Sequence, residues 1–367
     1  MLGWLPTGLR WAFAALVVGL VVWWFVLPQF DEAEDALDLV ADVDPLRVVA
    51  AGVLVVAAFV AQAQMVRTVL PRHETPRLFD VVRIELAAAA VSHTVPGGTA
   101  AGTALGYRLL TDSGVDGTSA GFAVAVRGVG SSVVLNVALG SALAVWIPMN
   151  GFHANFGVAA TVGAVALGAV GLLTAAVTRS AARLVDTITR IAGAIPGVEK
   201  DEVGPPVDRF VQQVRELVSD RPLALHVGGW AAAHWLAEAA ALWIMLGAFG
   251  WSGSPLAIFI AFGVVNVIAA VPITPRGLGI VEAVLIPMLV ALGAPGQVAA
   301  LGVLAWRLLS FWAPIPVGTI GYLSLRIAEP RVGDEDMSGA RRRTIRELAT
   351  ARRPPTTTVD EATDTES

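Results

Sequence analysis

Arg276 stands between Pro275 and Gly277 in the stretch AAVPITPRGLGIVEAVL (269–285), inside one of the most apolar parts of the chain. A guanidinium is a planar fork of donors that holds a phosphate or carboxylate through two parallel hydrogen bonds. Glu282 follows six residues later, too far along a helix for a standard neighbour pair with Arg276. It therefore needs another partner. Arg307 lies about 15 Å into a long apolar segment by helix rise, and Arg127 reaches a similar depth from the opposite side. We expect Glu282 to pair with Arg307 or Arg127, leaving Arg276 free for an anion. Charges at such depth are expensive, so a structural lock and a working role both stay open for Glu282 with Arg307.

Other polar residues have more than one reading. His234 and Glu238, spaced i, i+4, share a helix face and suit metal ligation, a proton relay or an interhelix contact. His93 just precedes a chain break and is expected to bond the carbonyls freed there. Glu85 is expected to pair with Arg83 near a membrane entrance. Asp42-Val43-Asp44 can be a metal-binding Asp-x-Asp, or Asp44 can cap a helix that opens with Pro45.

The elements that must position these groups follow from composition. Of 367 residues 55% are hydrophobic and 15% charged, and runs of about 20 uncharged residues match a ~30 Å hydrocarbon core. This predicts an all-α polytopic membrane protein. Candidate spans cover 11–27, 47–70, 80–110, 118–147, 157–178, 222–247, 255–292 and 297–325. The first is read as a retained span, because no small-residue cleavage site follows it. Cysteine is absent, which excludes disulfides, thiolate metal sites and thiol nucleophiles. The net charge of −5 describes no real surface, since the acidic residues cluster in one loop and the last residues.

Two segments are too long for one crossing and contain breaks. Segment 80–110 breaks at Pro96, Gly97 and Gly98, and 255–292 breaks at Pro275, Arg276 and Gly277. Arginine-rich connectors at 71–79 and 179–221 and the arginines of the tail belong on the cytoplasmic side, whereas 30–44, 148–156, 250–254 and 293–296 carry no Lys or Arg. All loops agree if both broken segments are re-entrant hairpins of opposite orientation. The prediction is about six full spans plus two such hairpins, an inverted repeat.

Irregular backbone at membrane depth is tolerated where it is buried in protein or lines a watery cavity. Each returning half-helix would aim its free N–H groups and positive dipole end at the bilayer middle, with Arg276 in its first turn. That setting favours an anion. Gly97, Gly98, Gly277 and Gly279 would let backbone or ligand approach closely. The membrane domain is placed at 1–328, with 179–221 as a cytoplasmic amphipathic connector broken at Gly204, Pro205 and Pro206, and 329–367 as a disordered cytoplasmic tail. Small-residue runs such as 163–171 suit packing within one chain or in a homo-oligomer.

The stretches VPGGTAAGTALGYRLL (95–110) and PRGLGIVEAVLI (275–286) resemble the two signatures of the lysylphosphatidylglycerol synthase transmembrane, flippase-like family. The second is the more specific, with Pro275, Gly277, Leu278, Gly279, Val281 and Glu282 in order. The resemblance runs from about Trp11 to Leu325. It implies a module that moves a lipid or lipid-linked headgroup across the bacterial inner membrane. Many members carry Arg and Glu after the first proline, where 98–102 here is uncharged. Nothing resembling the aminoacyl-transferase domain follows Leu325, so lysyl-lipid synthesis is not expected.

The resulting expectation is a non-enzymatic lipid flippase with both termini cytoplasmic. Its partner is a membrane lipid with an anionic headgroup or lipid phosphate; no cofactor, metal or nucleic acid is expected. Candidate binding residues are Arg276, Gly277, Gly279, Gly97, Gly98, Arg127, Arg307 and Glu282, with His234 and Glu238 as candidate coupling residues. The rivals are a membrane glycosyltransferase with a polyprenyl-phosphate donor held at Asp42 and Asp44, and a non-transporting lipid-binding scaffold.

Overall fold

The computed structural model describes residues 43–95, 97–150, 200–269 and 275–328. The expected spans at 11–27 and 157–178, connector residues 179–199, Asp42, Pro96 and the tail 329–367 lie outside the described residues. The chain divides into units Met1–Tyr322 and Leu323–Ser367. Of the second unit only 323–328 are described, as the end of a helix.

Among the described residues the structure is helical. Helix α1 (Pro45–Val69) opens with Asp44 accepting from the N–H groups of Leu46 and Arg47, with proline at its first position. A pair of shorter helices follows, α2 (Leu78–Thr94) and α3 (Gly98–Asp112). One long helix comes next, made of α4 (Gly117–Ala125), a π turn at Val126–Gly130 and α5 (Ser131–Asn150). After α6 (Lys200–Ser219) the same order returns. Helix α7 (Arg221–Ala248) is capped by Asp220 and again has proline in its first turn. Then come α8 (Pro255–Ala269), a tight turn at Pro275–Gly277 and α9 (Ile280–Ala291). Last is a second long helix, formed by α10 (Gly296–Arg307), a π turn at Leu308–Trp312 and α11 (Pro314–Ala328).

Four helices are long and apolar enough to cross a membrane, Pro45–Val69, Gly117–Met149, Arg221–Ala248 and Gly296–Ile327. The first of them buries small residues and exposes larger apolar ones. Helix α1 buries Ala51, Ala58, Ala61 and Ala63 while exposing Val49, Val53 and Val56. Small residues let backbones approach, and large apolar ones belong in lipid. The protein is thus a multi-pass membrane protein.

Helices α1 and α7 form the central pair and run antiparallel. Asp44 N–H donates to Ala248 O, Arg47 donates to Gly247 O, and His234 Nδ1 meets Ala58 O at 3.1 Å. Residue numbers rise on one helix as they fall on the other. Around this pair Leu242, Leu246, Ile258, Phe262, Val281, Leu285 and Trp306 make the largest buried cluster.

Helices α2 and α3 also pack antiparallel, along a seam of glycine, alanine and serine. A Cβ on Gly98 would strike Ser92 backbone, one on Gly102 would strike Ala88 O and Ser92, and Gly106 faces Ala88 at 3.6 Å. The i, i+4 glycine stripe allows the two backbones to touch, as close helix crossings in lipid require. Helices α8 and α9 are in contact as well, closed by Gly277, whose Cβ would press on Ala269. At 17 and 15 residues, α2 and α3 reach only about 25 and 22 Å. The expected break at Gly204–Pro206 is absent, for α6 runs through it. Both prolines fall within the first two turns, near the end where helices tolerate proline best.

Candidate functional site

The turn at Pro275–Gly277 touches both α2 and α3, so the bend of the second hairpin meets the first. At this meeting Arg276 has φ 42° and ψ 42°, left-handed values that a side chain disfavours. Such a conformation costs on the order of 1–3 kcal/mol and persists where surroundings impose it. Gly277 (φ 71°) and Gly279 (φ 82°) continue the left-handed path at no such cost. Helix α9 begins only at Ile280, so Arg276 precedes the helix rather than occupying its first turn.

Arg276 is solvent-accessible, yet charged groups surround it. Glu238 of α7 is its strongest charged neighbour, followed by Arg127, Arg307 and Glu85. His93 and His234 also feel its charge. Arg276 is thus an accessible guanidinium whose charged neighbours come from separate elements. Among the described residues no carboxylate forms an ion pair with it.

The other arginines are engaged. Arg307 Nε lies 2.7 Å from Glu282 Oε1. The other oxygen of Glu282 accepts from Gly279 N–H at 2.8 Å and caps α9. One N–H group expected to face an anion is therefore already bonded. Arg127 Nη1 lies 2.8 Å from Glu85 Oε2, which also accepts from Gln62 at 3.0 Å. The expected Glu85–Arg83 pair is not formed, since Arg83 turns to Asp80. Residues two apart on a helix do not face each other.

A stacked layer ties the first hairpin to the second π-turned helix. His93 stacks on Phe311 with ring centroids 4.4 Å apart, and the Arg307 guanidinium lies over the same ring, also at 4.4 Å. His93 Nδ1 bonds Phe311 O at 2.7 Å. A π turn displaces the regular bond pattern and frees a carbonyl, and here that carbonyl belongs to Phe311 rather than to the α2–α3 break. The first π turn is served in the same way, with Trp235 Nε1 donating to Ser131 O at 2.9 Å. Neither aromatic partner was legible as such, because a π turn leaves no signature in residue spacing.

Of the remaining candidates, Gly98 faces the Ser92 backbone and Gly277 the Ala269 and Val281 side chains, whereas Gly97 and Gly279 have open space beside them. His234 is buried and bonded to Ala58 O, not to Glu238. Glu238 is half-buried beside Trp306, a residue that sequence reasoning missed. Asp44 is a helix cap paired with Arg47 at 3.3 Å. Among the described residues no cluster of three or more His, Asp or Glu side chains could hold a metal.

The family model described as the lysylphosphatidylglycerol synthase TM region matches residues 11–318. No curated protein matches the chain.

Proposed function

The chain belongs to the lysylphosphatidylglycerol synthase transmembrane family, whose setting is lipid metabolism or transport, and on that premise we propose that it is a lipid flippase. It moves a phospholipid or a lipid-linked anionic headgroup across the bacterial inner membrane. We read the two successive runs of long helix, hairpin and π-turned helix as halves of an inverted repeat. The hairpins re-enter the bilayer from opposite sides, and both termini are cytoplasmic.

The observation that carries this reading is Arg276. A strained, accessible guanidinium without an ion pair among the described residues sits where the two hairpins meet. A cation at membrane depth without a fixed partner is expensive and marks a candidate working site. Its two parallel donors match a phosphate. Neighbouring Arg307 and Arg127 add positive potential while their own carboxylates hold them in place. Rocking of one half against the other would expose Arg276 to each side in turn.

The rival glycosyltransferase reading needs free carboxylates at Asp42 and Asp44, and the Asp44 side chain is engaged in capping α1. The test is transport of a fluorescent anionic phospholipid in liposomes containing purified protein. Movement by the wild type and its loss in Arg276→Ala, at equal incorporation, support the proposal. Undiminished movement in Arg276→Ala removes the site assignment.

A further inference from the structure

The loop between α1 and α2 is pinned from three directions and yet presents cations outward. Pro71 O accepts from Glu74 N–H at 2.9 Å and from Thr75 Oγ1 at 2.8 Å, closing a turn directly after α1. Arg67 Nε reaches forward from the last turn of α1 to Pro76 O at 3.0 Å. Glu74 Oε2 accepts from Asp116 N–H at 3.2 Å, which ties the loop to the start of α4. Arg72 and Arg77 stand on this frame. Both are exposed, and their side chains make no ion pair or hydrogen bond among the described residues.

The local charge is unbalanced. Residues 67–83 hold four arginines and two acids. Of those acids, Asp80 pairs with Arg83 at 3.2 Å and Glu74 faces His73 at 3.4 Å. Arg67 bonds the neutral oxygens of Pro76 and Gln64. The acids around the loop that Glu74 touches are engaged as well. Asp112 pairs with Arg108, and Asp116 caps α4 and lies 3.8 Å from Arg209. Phe79, in the first turn of α2, is 70% exposed, with the Arg83 guanidinium 5.4 Å from its ring centre. An open aromatic ring among arginines, at the end of a membrane-crossing helix, suits the headgroup level of a bilayer.

We propose that the loop 71–79 docks on anionic phospholipid headgroups of the leaflet it faces. Arg72 and Arg77 supply forked donors for phosphate oxygens, and Phe79 seats its ring at the headgroup boundary. Charge complementarity selects this occupant. The loop follows a 25-residue apolar helix long enough to cross a membrane, so it stands at the bilayer surface, where clustered arginines attract anionic lipid. The frame is set by contacts within the protein, so little order is lost when lipid binds. The docking surface lies on a different loop from the turn that carries Arg276, and it does not depend on transport. Its effect is to gather anionic lipid beside the first arm of the first hairpin.

The experiment uses full-length protein in phosphatidylcholine nanodiscs, with a fluorescent donor on His73→Cys, which introduces the only cysteine. Trace phosphatidylglycerol or phosphatidylcholine carrying an acceptor on its tail is added, and energy transfer reports the lipid beside the loop. Phosphatidylglycerol should be preferred, and the preference should fall about fivefold with each of Arg72→Gln and Arg77→Gln. Added potassium chloride should weaken it by screening. Replacing Arg341, Arg342 and Arg343 by glutamine should leave it unchanged. Equal transfer to both lipids with the arginines intact overturns the proposal. So does a preference that survives loss of both arginines, or one that the tail replacements abolish. Displacement by inorganic phosphate beyond that by chloride at equal ionic strength marks a pocket for a free anion and also overturns lipid docking. The salt and phosphate readings keep both arginines, so they decide even where a variant does not fold.

Discussion

Glu282 binds Arg307 with one carboxylate oxygen and the N–H of Gly279 with the other, at 2.7 and 2.8 Å. A single side chain thus caps α9 and fastens the second hairpin to the π-turned helix. Removing either partner of a buried pair leaves the other charge uncompensated, at about 3–5 kcal/mol. We expect Glu282→Ala and Arg307→Ala each to lower detergent melting temperature strongly, and the double variant to lose less than their sum. The charge-swapped pair should not recover, because arginine at 282 has no acceptor for Gly279 N–H. Full recovery by the swap would show that the cap is dispensable.

Arg276 offers a variant whose effects on stability and transport run in opposite directions. Glycine adopts the left-handed conformation freely, so Arg276→Gly should relieve backbone strain of about 1–2 kcal/mol. The melting temperature should rise or hold while lipid transport is lost. A fall in stability would mean that the guanidinium anchors the turn and that the site reading is mistaken.

The glycine seam of the first hairpin predicts a contrast between two alanine substitutions. Gly102→Ala drives a methyl into Ala88 O and Ser92, and overpacking of this kind costs about 1–3 kcal/mol. Gly52→Ala, in the middle of α1 with nothing within 4 Å of the new carbon, should stabilise by about 0.5–1 kcal/mol through helix propensity. Thermal melts of both would settle whether α2 and α3 touch as described.

Glu85 and Arg127 provide the corresponding lock in the first half. Their side chains are 3% and 14% exposed, so Glu85→Ala should be severely destabilising. Replacing both by leucine should recover much of the loss, since well-packed apolar residues rival a buried pair. A double variant as poor as the single one would show that Glu85 matters for another reason, such as its bond to Gln62.

Much of this arrangement could be read from residue types. Proline and glycine marked both breaks, depth along a helix left Glu282 with Arg307 or Arg127, of which the structure takes Arg307, and Asp44 before Pro45 offered a cap beside a metal-binding reading. What escaped was whatever depends on neighbours distant in sequence. Glu85 reaches across to Arg127, 42 residues away, where sequence proximity favoured Arg83. Phe311 and Trp306 look like ordinary core aromatics until packing brings His93 and Glu238 beside them. The start of α9 four residues beyond Arg276 reflects left-handed backbone at Gly277 and Gly279, which spacing alone does not reveal.

Each π turn contains one residue more than α winding would use. Deleting that residue would restore α winding and leave later side chains near their present azimuth, whereas a deletion within the α-helical stretch that follows would swing them by about 100°. After Val126–Gly130, the side chain that fits against Gly263 is Leu139; after Leu308–Trp312, Gly318 rests on the backbone of Leu86. Both seats depend on an azimuth set about eight residues upstream. A one-residue deletion within either π turn should thus be tolerated better than one in the α-helical stretch just after it, which would re-aim the rest of the helix.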